Sequence, residues 1–179
     1  MLYIETPRLL LRDWKEEDIK PFAAMNRDAN VMKHFLNPLS EEESLGFYNR
    51  IRKEFKDFGY GLYAVEKKDN GEFIGYAGFH NIMFDIDFAP GVEIGWRLKY
   101  KEWNKGYATE AAKACIDYAK ENLSFKTIWS FTSLTNKSSE RVMQKIGMQR
   151  VKTFNHPTIL DGHPLKEHVL YKLLLSNNN

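Results

Sequence analysis

The chain has 179 residues, a length that suits one domain better than two. Its 43% hydrophobic and 14% aromatic content supplies a core, and a formal net charge of +2 without a long basic run argues against a polyanion-binding protein. The single cysteine, Cys115, excludes an intramolecular disulfide. With no signal-peptide pattern and no window near the ~20 apolar residues of a membrane span, a cytoplasmic protein is expected.

In chain order, Arg8 to Arg12 reads as the first strand, Glu16 to about Arg27 as a helix, and Asp28 to Phe35 as a further turn or two. Pro38 breaks the chain. Ser40 with Glu43 has the form of a capping box, opening a helix whose Leu45, Tyr48, Ile51, Phe55 and Phe58 recur at helical spacing. Gly59 and Gly61 close it. Leu62 to Lys67 and Phe73 to His80 are predicted strands joined by Asp69-Asn70-Gly71, a hairpin signal. A loose stretch, Asn81 to Gly91, leads to a strand at Val92 to Leu98.

A polar turn around Asn104-Lys105-Gly106 then opens a helix from Tyr107 to Asn122. Ala108, Ala111, Ala112, Cys115, Ile116 and Ala119 share one face of it. So small a stripe lets the helix axis lie close to a sheet. Thr127 to Thr132 follows as a strand, Asn136 to Ile146 as a helix ended by Gly147, and Gln149 to Phe154 and His168 to Leu175 as two last strands. The order predicts a mixed α/β fold over residues 1–175, with 176–179 as a polar tail. There is no internal repeat and no interdomain linker.

The strand–turn–helix from Val92 to Asn122 is the segment with chemistry in it. The first turn of a helix presents unpartnered N–H groups and partial positive charge, a natural seat for phosphate. Gly106 allows close approach, Lys105 adds charge and Thr109 a hydroxyl. The pattern is neither a P-loop nor a Gly-x-Gly-x-x-Gly turn. On these grounds alone the segment is either an anion site or an ordinary connection.

Val92-Glu93-Ile94-Gly95-Trp96-Arg97-Leu98 followed by Trp103-Asn104-Lys105-Gly106-Tyr107-Ala108-Thr109-Glu110-Ala111 resembles the acetyl-CoA signature of the GNAT superfamily of N-acetyltransferases. Asn136-Lys137-Ser138-Ser139 through Lys145-Ile146-Gly147-Met148 resembles that superfamily's second signature. The opening Thr6-Pro7-Arg8-Leu9-Leu10-Leu11-Arg12 is similar to the branch that includes ribosomal-protein N-terminal acetyltransferases, and the ending from Phe154 to Tyr171 to a bacterial subgroup of it.

The resemblance implies a mostly antiparallel sheet that splays open between two strands and holds acetyl-CoA in the gap. It implies that the backbone of Trp96, Arg97 and Leu98 pairs with pantetheine. Amides of Asn104, Lys105, Gly106, Tyr107, Ala108 and Thr109 would hold the pyrophosphate, Asn136 would touch the pantetheine arm, and Ser139 would lie beside the thioester. Asn136 equally suits a helix N-cap. Arg141 and Lys145 read as solvated. Met143 departs from the family, standing where many members place a tyrosine that protonates the leaving thiolate; methionine has no proton to donate. The acid role then falls to Ser139, to water or to no specific group.

Acetyl transfer by direct attack needs a neutral amine, and an α-amine titrates near about 8 while a lysine amine titrates near about 10. Glu93 is the first candidate base, with an ion pair as its alternative role. His156 is the second, with loop shaping as its alternative. His80, Asp85 and Asp87 are further candidates for the acceptor side, while Cys115 reads as a core residue. No cluster has metal-ligand spacing. The acceptor is a primary amine, either a small molecule or a protein N-terminus. An acyl-CoA-sensing module without efficient turnover is the alternative. The aromatic stretch Phe79 to Phe88 suits either a homodimer contact or a cover over the acceptor.

Overall fold

Local chemistry sets many of the element ends. Ser40 Oγ accepts from the Glu43 N–H, and the Glu43 carboxylate accepts from the Ser40 N–H, so the predicted capping box forms. Gly59, at φ 76°, takes the left-handed conformation that ends the same helix. The computed structural model describes residues 1–175; the predicted polar tail, 176–179, lies outside the described residues.

The elements are β1 (Leu2–Glu5), β2 (Leu9–Arg12), α1 (Ile19–Arg27), α2 (Ala29–Met32), α3 (Glu41–Phe58), β3 (Leu62–Lys67), β4 (Phe73–Asn81), β5 (Val92–Leu98), α4 (Tyr107–Asn122), β6 (Thr127–Ser133), α5 (Lys137–Lys145), β7 (Gln149–Asn155) and β8 (Glu167–Leu174). They form the mixed α/β architecture expected. One eight-stranded sheet has the order β1-β2-β3-β4-β5-β6-β8-β7. Its pairings are antiparallel except β5 with β6, which run parallel.

Each face of the sheet is covered. On one side Ile94 and Leu98 pack with Ala111, Ala112, Cys115 and Ala119 of α4, all buried, so the small-residue stripe does seat that helix against the sheet. On the other side Trp14, Phe22, Tyr48, Ile51 and Tyr76 join α1 and α3 to β3 and β4. No helix among the described residues is long and apolar enough to cross a membrane.

Three details differ from expectation. The sheet begins one strand earlier, at β1, because Leu2–Glu5 pairs with β2 although four residues carry too little periodicity to announce a strand. Glu16–Asp18 forms a separate 3-10 turn before α1. Leu45 and Phe58 are exposed, and the buried stripe of α3 runs instead through Ser44, Tyr48 and Ile51. Ser44 is inside because its hydroxyl accepts from the buried Asn26 amide at 3.2 Å.

Candidate functional site

β5 and β6 pair at only two positions, Val92 with Ile128 and Glu93 with Trp129. Beyond them the Ser130 hydroxyl reaches the Ile94 carbonyl at 3.0 Å, and then the strands part. Backbone polar groups alternate from edge to edge along a strand. Since the Ile94 carbonyl faces β6, the Trp96 N–H and carbonyl face the same side, where no strand bonds them. The Leu98 carbonyl, next in that series, accepts from Trp103 Nε1 at 2.9 Å. The opening between β5 and β6 belongs to a cleft of about 850 Å³.

The turn at the mouth of this cleft owes its shape to two left-handed residues, Asn104 (φ 60°) and Gly106 (φ 82°). Asparagine is among the few side chains that tolerate that conformation. Gly106 is the N-cap of α4 and supplies no side-chain bond, so the first-turn amides of Tyr107, Ala108 and Thr109 are left for an external acceptor. Lys105 stands apart: it does not line the cleft, and its ammonium pairs with the buried Glu102 carboxylate at 3.1 Å. Trp96, Arg97, Leu98, Asn104, Gly106, Tyr107, Ala108, Thr109, Asn136 and Ser139 all line the cleft.

The opening motif Thr6-Pro7-Arg8 clasps this turn from behind. Thr6 Oγ1 donates to Glu110 at 2.6 Å, Arg8 Nε donates to the same carboxylate at 2.6 Å, and Arg8 Nη1 donates to the Lys105 carbonyl at 2.9 Å. The Arg8 guanidinium also lies 4.4 Å from the Tyr107 ring centre. Hydrogen bonds from Thr6 and Arg8 outweigh burial and hold the Glu110 carboxyl below its ordinary pKa. Removing the clasp releases the loop whose amides must be preorganised. Glu110→Ala is therefore expected to weaken binding of a pyrophosphate-bearing ligand at the turn about tenfold, as losing a charge-assisted bond does, measured by titration calorimetry; unchanged affinity would show that the turn holds its shape alone.

At the inner end, strand parity puts Glu93, Gly95 and Arg97 on the face of β5 opposite α4. Glu93 sits across from His80 in the β4–β5 register, and His80 Nε2 lies 3.0 Å from its carboxylate. Burial lowers the imidazole pKa, but the charge and hydrogen bond of Glu93 outweigh it, and the net direction is upward. His156 also lines the cleft, with its ring centre 4.7 Å from Phe84 and 5.0 Å from His168. Burial lowers its pKa against an opposing pull from Glu93, and burial pushes His168 down to about 4. The arrangement offers a carboxylate–imidazole pair, Glu93 with His80, able to exchange a proton, beside two imidazoles, His156 and His168, whose burial disfavours their charged forms.

Asn136 serves as the N-cap of α5. Its Oδ1 accepts from Ser139 N–H at 3.2 Å and Ser138 Oγ at 3.0 Å, while its Nδ2 donates to Thr132 Oγ1 at 3.0 Å. One amide hydrogen remains for another partner. Met143 is 1% exposed and belongs to the core. Arg141 and Lys145 stand exposed at the cleft's edge.

Asp85 and Asp87 do not join the site. Both are exposed outside the cleft, and Asp87 pairs with Lys152. Cys115 is buried, with burial raising its thiol pKa. No group of three or more metal-ligating side chains occurs among the described residues. Sequence reasoning passed over His168 and the side chain of Arg97. Alternation along Val92–Leu98 could have put Arg97 on the Glu93 face.

Residues 8–149 match the acetyltransferase (GNAT) domain family. The chain is 31% identical over 150 residues to an uncharacterized N-acetyltransferase of Bacillus subtilis, YnaD, covering 83% of this chain and 84% of that one. An acetyltransferase of the GNAT family from Bacillus anthracis is similar at a TM-score of 0.77 and 28% identity, over 97% of this chain and 98% of the other. The fold also matches RimL, a ribosomal-protein alpha-N-acetyltransferase solved with coenzyme A, at a TM-score of 0.80 and 14% identity over 98% of each. The family match over residues 8–149, together with a relative above 30% identity, places this chain in the GNAT acetyltransferase family.

Proposed function

We propose that the protein transfers acetyl from acetyl-CoA to a primary amine by direct attack. The observation that carries this reading is the gap between β5 and β6, which leads from an uncapped helix N-terminus to the Glu93–His80 pair. The fit is chemical. Pyrophosphate oxygens match the free amides from Asn104 to Thr109. The Trp96 backbone offers one donor and one acceptor to an amide-bearing arm, and the spare Asn136 amide hydrogen and Ser139 lie further along the same cleft. RimL, similar in fold, was solved with coenzyme A.

Glu93 takes the proton of the incoming amine, with His80 holding its carboxylate, and His156 is the alternative base. With Met143 in the acid's place, Ser139 or water protonates the departing thiolate. Pantetheine thiolate is a good enough leaving group for that to suffice. Met143 also supports a second reading, a binding module that senses acetyl-CoA without efficient turnover.

Titration calorimetry with acetyl-CoA, followed by thiol release across a panel of amines, tests the reading. Binding with turnover of at least one amine is expected. Binding without turnover of any amine favours the sensor, and the absence of heat and of a thermal shift at high protein concentration overturns both.

A further inference from the structure

Among the described residues the side chain of Arg97 has no counter-ion. Its guanidinium lies 4.3 Å from the ring centre of Phe35, 5.4 Å from that of Tyr76 and 5.7 Å from that of Phe47. Among the described residues its guanidinium makes one hydrogen bond, Nη1 to the Asn26 side-chain oxygen at 2.8 Å. Asn26 is fully buried and its amide nitrogen is spent on Ser44, so the partner offered to Arg97 is neutral and fixed in orientation. Arg97 Nε is buried with no partner, and Nη2 bonds to none of the described residues.

The same chain compensates its buried arginine: Arg12 meets both Asp18 and Glu66, whereas Arg97 is half-buried. A guanidinium cannot shed its charge, and aromatic walls displace part of the water that would otherwise stabilise it. An unpaired Arg in a cleft is therefore a seat for an anion, and its planar fork suits a carboxylate.

Its position says which anion. Arg97, Gly95 and Glu93 share one face of β5, four residues or about 13 Å between the end α-carbons. Gly95 keeps the ground between them clear, for a β-carbon added there would meet no atom within 4 Å. One end of this floor holds the Glu93–His80 pair and the other a bare cation. Asn26, Phe35 and Phe47 come from the layer opposite α4, so this floor is separate from the turn assigned to pyrophosphate.

Resting on the acetyltransferase reading above, we infer that the acceptor is a small amino-carboxylate, its amine lying toward Glu93 and its carboxylate held by Arg97. The matched probes are 4-aminobutyrate, 5-aminovalerate and 6-aminohexanoate against the n-alkylamines of equal length.

The best amino-carboxylate is expected to exceed its alkylamine in kcat/KM by about 10- to 100-fold, the range of a charge-assisted bond. Arg97→Met brings that ratio close to one, chiefly through KM, and Arg97→Lys restores part of it. Butyrate competes with the acceptor in the wild type and loses that effect in Arg97→Met. Gly95→Ala, which has room to fold, raises the acceptor KM. The inference is overturned if alkylamines are acetylated as fast as amino-carboxylates, if Arg97→Met slows both by one factor, or if Gly95→Ala leaves KM unchanged. Peptides with free N-termini surpassing every amino-carboxylate would also overturn it. Failure of the acetyltransferase reading looks different, with no thiol released from any amine.

Discussion

Glu93→Gln is expected to lower kcat for amine acetylation by about 10²- to 10³-fold, the range in which general base catalysis contributes. Glutamine keeps the size and one acceptor oxygen but cannot take a proton. The pH profile supplies a second signature. In the wild type, the Glu93 charge and hydrogen bond outweigh burial and hold the His80 pKa above its ordinary value. While His80 is protonated, its cation ties up the carboxylate; as pH rises through that raised pKa, Glu93 is freed to act. The rate therefore rises with pH along a limb above the usual histidine range.

Removing the Glu93 charge leaves burial opposed only by the charge of Glu54, so the His80 pKa falls. The stability difference gives an independent reading of the same pair. A raised histidine pKa contributes stability that is fully present below the unfolded value, near about 6.5, and is lost as pH rises through the folded value. The stability gap between wild type and Glu93→Gln thus narrows from pH 6 to pH 9 in urea titrations. Equal kcat in the two proteins at every pH would sink the assignment of Glu93 as base and leave His156 in its place.

Arg12→Met is expected to destabilise the fold by about 3–5 kcal/mol, the cost of stranding a buried partner charge. The guanidinium donates to Asp18 through Nη1 at 2.8 Å and Nη2 at 3.0 Å, to Glu66 through Nε at 2.6 Å, and to the Asp13 carbonyl at 2.9 Å. Asp18 is 2% exposed and also accepts from the Lys15 N–H at 2.8 Å, so it cannot turn outward to water.

Methionine fills much of the space but takes the guanidinium away from both carboxylates, leaving Glu66 with Lys15 at 3.4 Å and Asp18 without a cation among the described residues. Their protonation then favours the folded state, and the deficit should shrink as pH falls from 7 toward 5. Asp18→Asn added to Arg12→Met should recover part of the loss. Urea unfolding midpoints at the two pH values check both statements, and a deficit below about 1 kcal/mol, the usual worth of an exposed pair, would show that these carboxylates are solvated after all. Acetyl-CoA affinity is expected to follow stability here, because Arg12 ends the strand Leu9–Arg12, and Arg8, just before it, braces the turn proposed for pyrophosphate.

These two residues also show what the opening motif is for. In Thr6-Pro7-Arg8-Leu9-Leu10-Leu11-Arg12, Leu9 and Leu11 enter the core, Thr6 and Arg8 grip Glu110 of α4, and Arg12 anchors the turn at Asp18. The motif was legible as a resemblance, but its partners were not: Glu110 lies more than a hundred residues away in sequence.

What the sequence determined by itself is what depends on a few neighbouring residues. Ser40 with Glu43 starts α3, Gly59 ends it, Asp69-Asn70-Gly71 turns β3 into β4, and the alanine stripe of Tyr107–Asn122 marks a helix that packs close to a sheet. Gly106 and Asn104 belong to the same class, because backbone sterics alone select residues for a left-handed turn. The tertiary structure decided everything that needs two distant segments to meet. It inserted β8 between β6 and β7, parted β5 from β6 after two residue pairs, set His80 against Glu93, and caged Arg97 between α1 and the aromatic rings of Phe35, Phe47 and Tyr76. Strand alternation says which side chains share a face, but the burial of opposing layers and the register of β4 on β5 choose what they face. The end of the cleft proposed for the donor was therefore legible through the turn together with the family signature it resembles, whereas the end proposed for the acceptor is assembled from α1, α3 and three strands and has no local signature.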